Sequence, residues 1–175
     1  MRSMYHDGSR QLQAEFDTQR LADRLEHAKV RDHITDEDRE LIQRLDMFFL
    51  ATADTEGRPN CSYKGGDAGF VRVLDRHTLV FPNYDGNGMY LSTGNVRVNP
   101  YVGMLFIDFL QPRRLRVNGT ARRVERGTLP VDFHEAQFLV KVTVREVFPN
   151  CPKTTDWARD VLARNDPARD APKPG

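Results

Sequence analysis

The stretch Pro82-Asn83-Tyr84-Asp85-Gly86-Asn87-Gly88-Met89 has the residue types of a ligand-binding loop. Two glycines let a backbone turn sharply and approach a ligand closely. The side chains of Asn83 and Asn87 can donate hydrogen bonds. The segment that follows, Tyr90 to Val98, reads as a short helix that stops before Asn99-Pro100. Free N–H groups at a helix start favour a phosphate, and Ser92 and Asn95 add neutral donors there. The loop matches neither a Walker nor a Rossmann pattern, and ordinary turn chemistry explains the same residues. A second feature is charge. Between Arg97 and Arg126 there are seven arginines against two acids, a local excess of five in a chain whose net charge is +1. In an alternating strand Arg114 and Arg116 share a face, where they can meet an anion together or form a solvated outer surface.

The familiar catalytic sets are missing. The sequence holds no Gly-x-Ser-x-Gly elbow and no His-Glu-x-x-His. Its five histidines are scattered, and Cys61 and Cys151 are too few for a disulfide framework or a four-cysteine zinc site. No metal is expected, and no catalytic residue is assigned. The lack of an evident nucleophile or base favours chemistry carried by a bound cofactor.

The elements that must position these residues follow from hydrophobic period. In Gln11 to Ala28, Leu12 and Phe16 are four apart, as are Leu21 and Leu25, which predicts a helix with one apolar face. Thr35 before Asp36-Glu37-Asp38 reads as an N-cap followed by acids that suit the helix dipole. From Met47 the period becomes that of strands. Met47 to Ala53 and Asn60 to Lys64 flank the turn Asp54 to Pro59. Phe70 to Val73 pairs with Thr78 to Phe81, and Tyr101 to Phe109 with Arg114 to Val124 across Gln111-Pro112. Val140, Val142 and Val144 alternate with polar residues as a half-buried strand. Strands at this spacing suggest a small antiparallel barrel, so the fold class is mainly β with added α. Tyr101 to Phe109 is apolar at nearly every position, which predicts cover on both faces, one by the N-terminal helices and the other by a second subunit, the alternative being a monomer in which those helices and the C-terminal segment wrap both sides.

Three segments result: an N-terminal helical cover over 1–46, a barrel over 47–153, and a C-terminal helix (about Thr155 to Ala163) with a loose tail over 154–175. At 175 residues with 39% hydrophobic side chains the chain can build a real core. The balanced charge argues against general nucleic-acid binding. The longest apolar run, Met47 to Ala51, is too short to cross a bilayer, and Met1 to Arg10 has no signal-peptide character, so a cytoplasmic protein is expected.

The order of segments carries a resemblance. Phe48-Phe49-Leu50-Ala51-Thr52-Ala53-Asp54 is followed by Gly57-Arg58-Pro59 and Tyr63-Lys64-Gly65-Gly66-Asp67-Ala68-Gly69-Phe70. Then come Leu79 to Asn87, Ser92-Thr93-Gly94-Asn95, Asn99-Pro100-Tyr101-Val102-Gly103-Met104-Leu105-Phe106, Arg116-Val117-Asn118-Gly119 and Phe148 to Lys153. Over about residues 33–153 this resembles the pyridoxamine 5′-phosphate oxidase-like family. The resemblance implies a six-stranded antiparallel split β-barrel with flanking helices, a homodimer with FMN at its interface, and oxidoreductase activity on a small molecule. It implies that Asn60, Cys61, Ser62, Tyr63 and Lys64 lie along the flavin ring. It implies that Asn83, Asn87, Ser92 and Asn95 hold the phosphate, with Pro82 also counted among the cofactor-binding residues, and that Arg114 reaches the flavin of the other subunit. Pyridoxamine phosphate oxidases carry an Arg-x-Val-Leu-Leu-Lys strand and an Arg-Lys pair in the phosphate loop. Here Asn60-Cys61-Ser62-Tyr63-Lys64 and Asn87-Gly88 stand there, which implies a related flavoprotein rather than a vitamin B6 oxidase. The alternatives on the same fold are a non-catalytic haem- or flavin-binding module and a reductase using a deazaflavin such as F420.

Overall fold

The computed structural model describes residues 3–111 and 113–149. Pro112, Cys151, Trp157 and the helix expected near Thr155 to Ala163 lie outside the described residues. The elements are α1 (Asp7–Glu15), α2 (Gln19–Lys29), α3 (Asp36–Arg44), β1 (Met47–Ala53), β2 (Pro59–Gly65), β3 (Arg72–Asp75), β4 (Thr78–Asn83), α4 (Leu91–Val98), β5 (Tyr101–Asp108), β6 (Arg113–Val124) and β7 (Phe138–Pro149).

All strands join one antiparallel sheet in the order β2-β1-β5-β6-β7-β4-β3. It is the expected mostly-β split barrel, left unclosed, and it has seven strands where the resemblance implies six. The β1–β2 turn is built as its residues dictate. The Asp54 carboxylate accepts from the backbone N–H of Glu56 and Arg58, at 2.9 Å each, while Gly57 takes a φ of 79°. Alternation along β1 and β5 sends Phe48, Leu50, Met104 and Phe106 inward. There Phe48 packs against Phe70, Phe81 and Phe106, with ring centroids 5.0–5.8 Å apart. The intervening residues Phe49, Leu105 and Ile107 are only half-buried, and Tyr63 and Tyr101 are exposed. One chain therefore covers one face of this part of the sheet and leaves the other partly open. The long strands β6 and β7 bend at a register shift between Asn118 and Gly119.

The helical region departs from expectation. One helix over Gln11 to Ala28 is in fact two, because the chain turns back at Asp17, whose φ is 50°. Thr18 N–H bonds to Gln13 O and Asp17 N–H to Ala14 O, the pattern that closes a helix through a left-handed residue. The pair α1–α2 buries only Ala22, and Leu12, Phe16, Leu21 and Leu25 stay 47–68% exposed. Of these three N-terminal helices only α3 packs into the core, through Leu41 and Ile42. Thr35 caps it as expected, in a reciprocal pair with Asp38. No helix among the described residues is long and apolar enough to cross a membrane.

Candidate functional site

Strand β2 is the free edge beside β1, and its period of two decides what it offers. Asn60, Ser62 and Lys64 stand opposite the buried Thr52, Leu50 and Phe48 and so face inward. Helix α4 packs against β1 and β2 and brings Ser92 to this face. Ser62 Oγ and Ser92 Oγ lie 2.8 Å apart, and Asn60 Nδ2 donates to Ser92 Oγ at 3.3 Å. The loop between β4 and α4 closes the third side. Together they enclose a cavity of about 280 Å³ lined by Asn60, Ser62, Tyr63, Lys64, Asn83, Asn87 and Ser92, with Tyr84, Gly86, Gly88, Met89, Tyr90, Leu91 and Thr93 completing the wall.

The start of α4 is unusual. Its N-cap is Tyr90, a left-handed residue with φ 48°, and no side chain caps the helix. The first N–H groups of a helix have no partner within it. Here they begin at the cavity wall, where the helix dipole favours an anion. Lys64 is the one lysine or arginine lining the cavity. It makes no ion pair among the described residues, and burial lowers the pKa of its ammonium below the ordinary lysine value. Burial first, then Asp67 and Glu135, raises that of the Tyr84 phenol. The set can hold a polar, anionic molecule through one cation and several neutral donors.

Seven of the eleven sequence-predicted residues thus meet in one cavity. The other four do not reach it from within a single chain. Cys61 points to the opposite face of β2, across from Ala51, and is exposed. Pro82 is buried within β4, paired with Leu139. Asn95 faces β1 and donates to Thr52 Oγ1 at 3.1 Å, so it seats the helix. Arg114 pairs with Ile107, three strands from β2 in the sheet order, and lines a separate cavity with Tyr5, Arg31 and Phe148.

Sequence reasoning missed Gln137. Its amide Oε1 accepts from Asn83 Nδ2 at 3.1 Å and from Tyr90 OH at 2.9 Å, and its Nε2 donates to Asp85 Oδ1 at 3.1 Å. Its backbone N–H donates to Asn83 O at 2.8 Å. Gln137 therefore ties both ends of the loop to the start of β7. Nothing local marks it, since it is an isolated polar residue before an apolar run and 54 positions from Asn83.

Comparison with known proteins agrees with this architecture. No curated protein matches the chain. Among solved structures, a putative pyridoxamine 5′-phosphate oxidase from Lactobacillus delbrueckii is 25% identical with a TM-score of 0.54, covering 69% of this chain and 98% of its own. HupZ from Group A Streptococcus is 22% identical with a TM-score of 0.53, covering 66% and 93%. The family model described as pyridoxamine 5′-phosphate oxidase matches residues 34–151, a span that takes in α3, the whole sheet and every residue lining the cavity. On that match the chain belongs to the pyridoxamine 5′-phosphate oxidase family.

Proposed function

We propose that the protein binds FMN between two copies of the chain and acts as an oxidoreductase on a small molecule. The observation that carries this reading is the donor set of the cavity, which has two distinct ends. Along β2, Asn60, Ser62 and Lys64 present polar atoms at every second residue, about 6.6 Å apart. That spacing suits the polar edge of a flavin ring. At the other end, Asn87, Ser92 and the uncapped start of α4 suit a phosphate. Family membership supports the same assignment.

Size supports the second copy. Cofactor sites usually measure roughly 300–1,000 Å³, and this cavity has about 280 Å³. One chain would enclose only part of FMN. The half-covered face around Phe49, Leu105 and Ile107, flanked by exposed Tyr63 and Tyr101, gives a partner something apolar to bury. In such a dimer the partner subunit's Arg114 would reach the flavin.

When bound, FMN would supply hydride and single-electron transfer. The protein's part is position and electrostatics. Lys64 holds a partly desolvated positive charge where the ring's polar edge would lie, and so favours negative charge developing there. Ser62 and Ser92 orient one another and keep Asn60 turned into the cavity.

The absorption spectrum of the purified protein, before and after incubation with FMN, tests the reading. Two broad bands in the blue and near ultraviolet are expected. A protein that stays colourless overturns it, and a sharp Soret band assigns the fold to haem instead. Light scattering should give about twice 20.1 kDa. A monomer holding one flavin per chain removes both the interface and Arg114's role.

A further inference from the structure

We infer that the chain carries a second ligand site, for a small flat organic anion, in the cavity between α4 and the β6–β7 strands. This cavity has a volume of about 500 Å³ and lies on the far side of Tyr90 and Thr93 from the first. Its polar groups are Arg97 on α4, Arg123 on β6, the Thr93 hydroxyl, the Tyr90 phenol and the Gln137 amide, and no carboxylate lines it among the described residues. Gln137, already bonded to Tyr90 OH, sits at its edge. Phe138 is a buried ring in its wall, and the Arg123 guanidinium lies 4.6 Å from that ring's centroid.

Charge points to an anion. Arg97 forms no ion pair among the described residues. Arg123 meets Glu125 at 2.9 Å, but both side chains are at least half exposed, and such a pair is weak and easily exchanged. Thr93 and Arg97 are four apart on a helix, so they stand on one face and can contact one group together. The exposed Tyr90 ring adds a surface on which a flat ring can stack.

Gly94 gives an independent reason to expect a ligand. It lies in the interior of α4 and lines this cavity, not the first. Glycine there costs helix stability by roughly 1 kcal/mol against alanine. Its φ is not positive, and a Cβ built on it meets nothing within 4 Å. The protein alone therefore gives no steric reason for glycine. A molecule resting against the helix backbone does.

The test uses phenyl phosphate and benzoate as separate probes, titrated by calorimetry into the full-length protein. They share a flat ring and differ in the anion, so their order of affinity tells a phosphate ligand from a carboxylate one. Saturable binding near or below about 1 mM is expected for at least one. Arg97→Gln should weaken it about tenfold or more, and Arg97→Lys should restore part of it. Gly94→Ala should weaken it comparably while raising the melting temperature, which separates blocked space from misfolding. Lys64→Gln, which alters only the first cavity, should leave it unchanged. No saturable binding of either probe overturns the proposal. So does binding that survives Arg97→Gln and Gly94→Ala, or that is lost with Lys64→Gln.

Discussion

Removing the Gln137 amide should loosen the loop that closes the proposed FMN site while sparing the fold. In Gln137→Ala, Asn83 Nδ2, Tyr90 OH and Asp85 Oδ1 each lose a partner at 2.9–3.1 Å. The backbone bond from Gln137 N–H to Asn83 O remains, so β4 and β7 stay joined. A net hydrogen bond contributes about 0.5–1.5 kcal/mol. These groups are exposed, so water replaces part of what is lost and the lower end applies, about 1–2 kcal/mol in all. The loop has little else to hold it, since Tyr84, Met89 and Tyr90 are themselves exposed. The loss should therefore fall on FMN affinity, as roughly a five- to thirtyfold rise in Kd by quenching of flavin fluorescence. The melting temperature should move by only a few degrees, because the neighbouring Phe138 and Leu139 stay buried. Gln137→Glu should do at least as much harm, since it sets a second carboxylate against Asp85. An unchanged Kd in both variants would refute the view that this amide shapes the site.

Asn87→Asp keeps the acceptor that binds Met89 N–H at 3.1 Å but turns a neutral side chain negative beside the phosphate position. FMN binding should weaken by about 1–3 kcal/mol, and equal affinity by titration removes the phosphate from this loop. Lys64 gives a pH signature. Its folded pKa lies below 10.5, so between the two values the unfolded chain binds more protons and stability rises with pH. Over that same window FMN affinity should fall as the ammonium is lost. Lys64→Met should flatten both curves, and an affinity in the wild-type protein that does not change up to pH 10.5 refutes the role of the charge. Gly119→Ala should destabilise the sheet by about 1–3 kcal/mol, because its Cβ runs into the Thr143 carbonyl across the bulge. A denaturant midpoint equal to that of the wild type excludes that clash.

What the sequence revealed, and what it hid, divides along range of interaction. Alternation is local, so all seven strand segments were readable from β-period, whereas the resemblance placed Asn60 to Lys64 along the ligand as one run and did not separate the inward Asn60, Ser62 and Lys64 from the outward Cys61. The turn at Asp54 and the cap at Thr35 were equally legible, because side chains within four residues make them. Strand ends were not. The last strand starts at Phe138 and runs to Pro149 because β4 and β6 pair with it along that length, which no local pattern records. The split of the first helix at Asp17 left a trace that the pairwise spacings conceal. Leu12 and Phe16 are four apart, as are Leu21 and Leu25, but the step from Phe16 to Leu21 is five, which would set the second pair on the opposite side of one continuous helix.

The same division explains the site. A helical or strand period reports that a face is apolar or polar, not what lies against it. Leu12 with Phe16 and Leu21 with Leu25 each have the four-residue spacing of a helix face, yet the sheet does not cover them. Asn95 and Ser92 both read as donors at a helix start. Three positions on a helix carry them to different neighbours, Ser92 to β2 and Asn95 to β1. Gln137 and Arg114 are the extreme cases. One enters the site only because β7 lies beside β4, and the other lies three strands from β2, outside this cavity. The cavity is therefore legible where one strand and one helix build it, and its loop closure and outer wall depend on contacts that only the assembled sheet brings together.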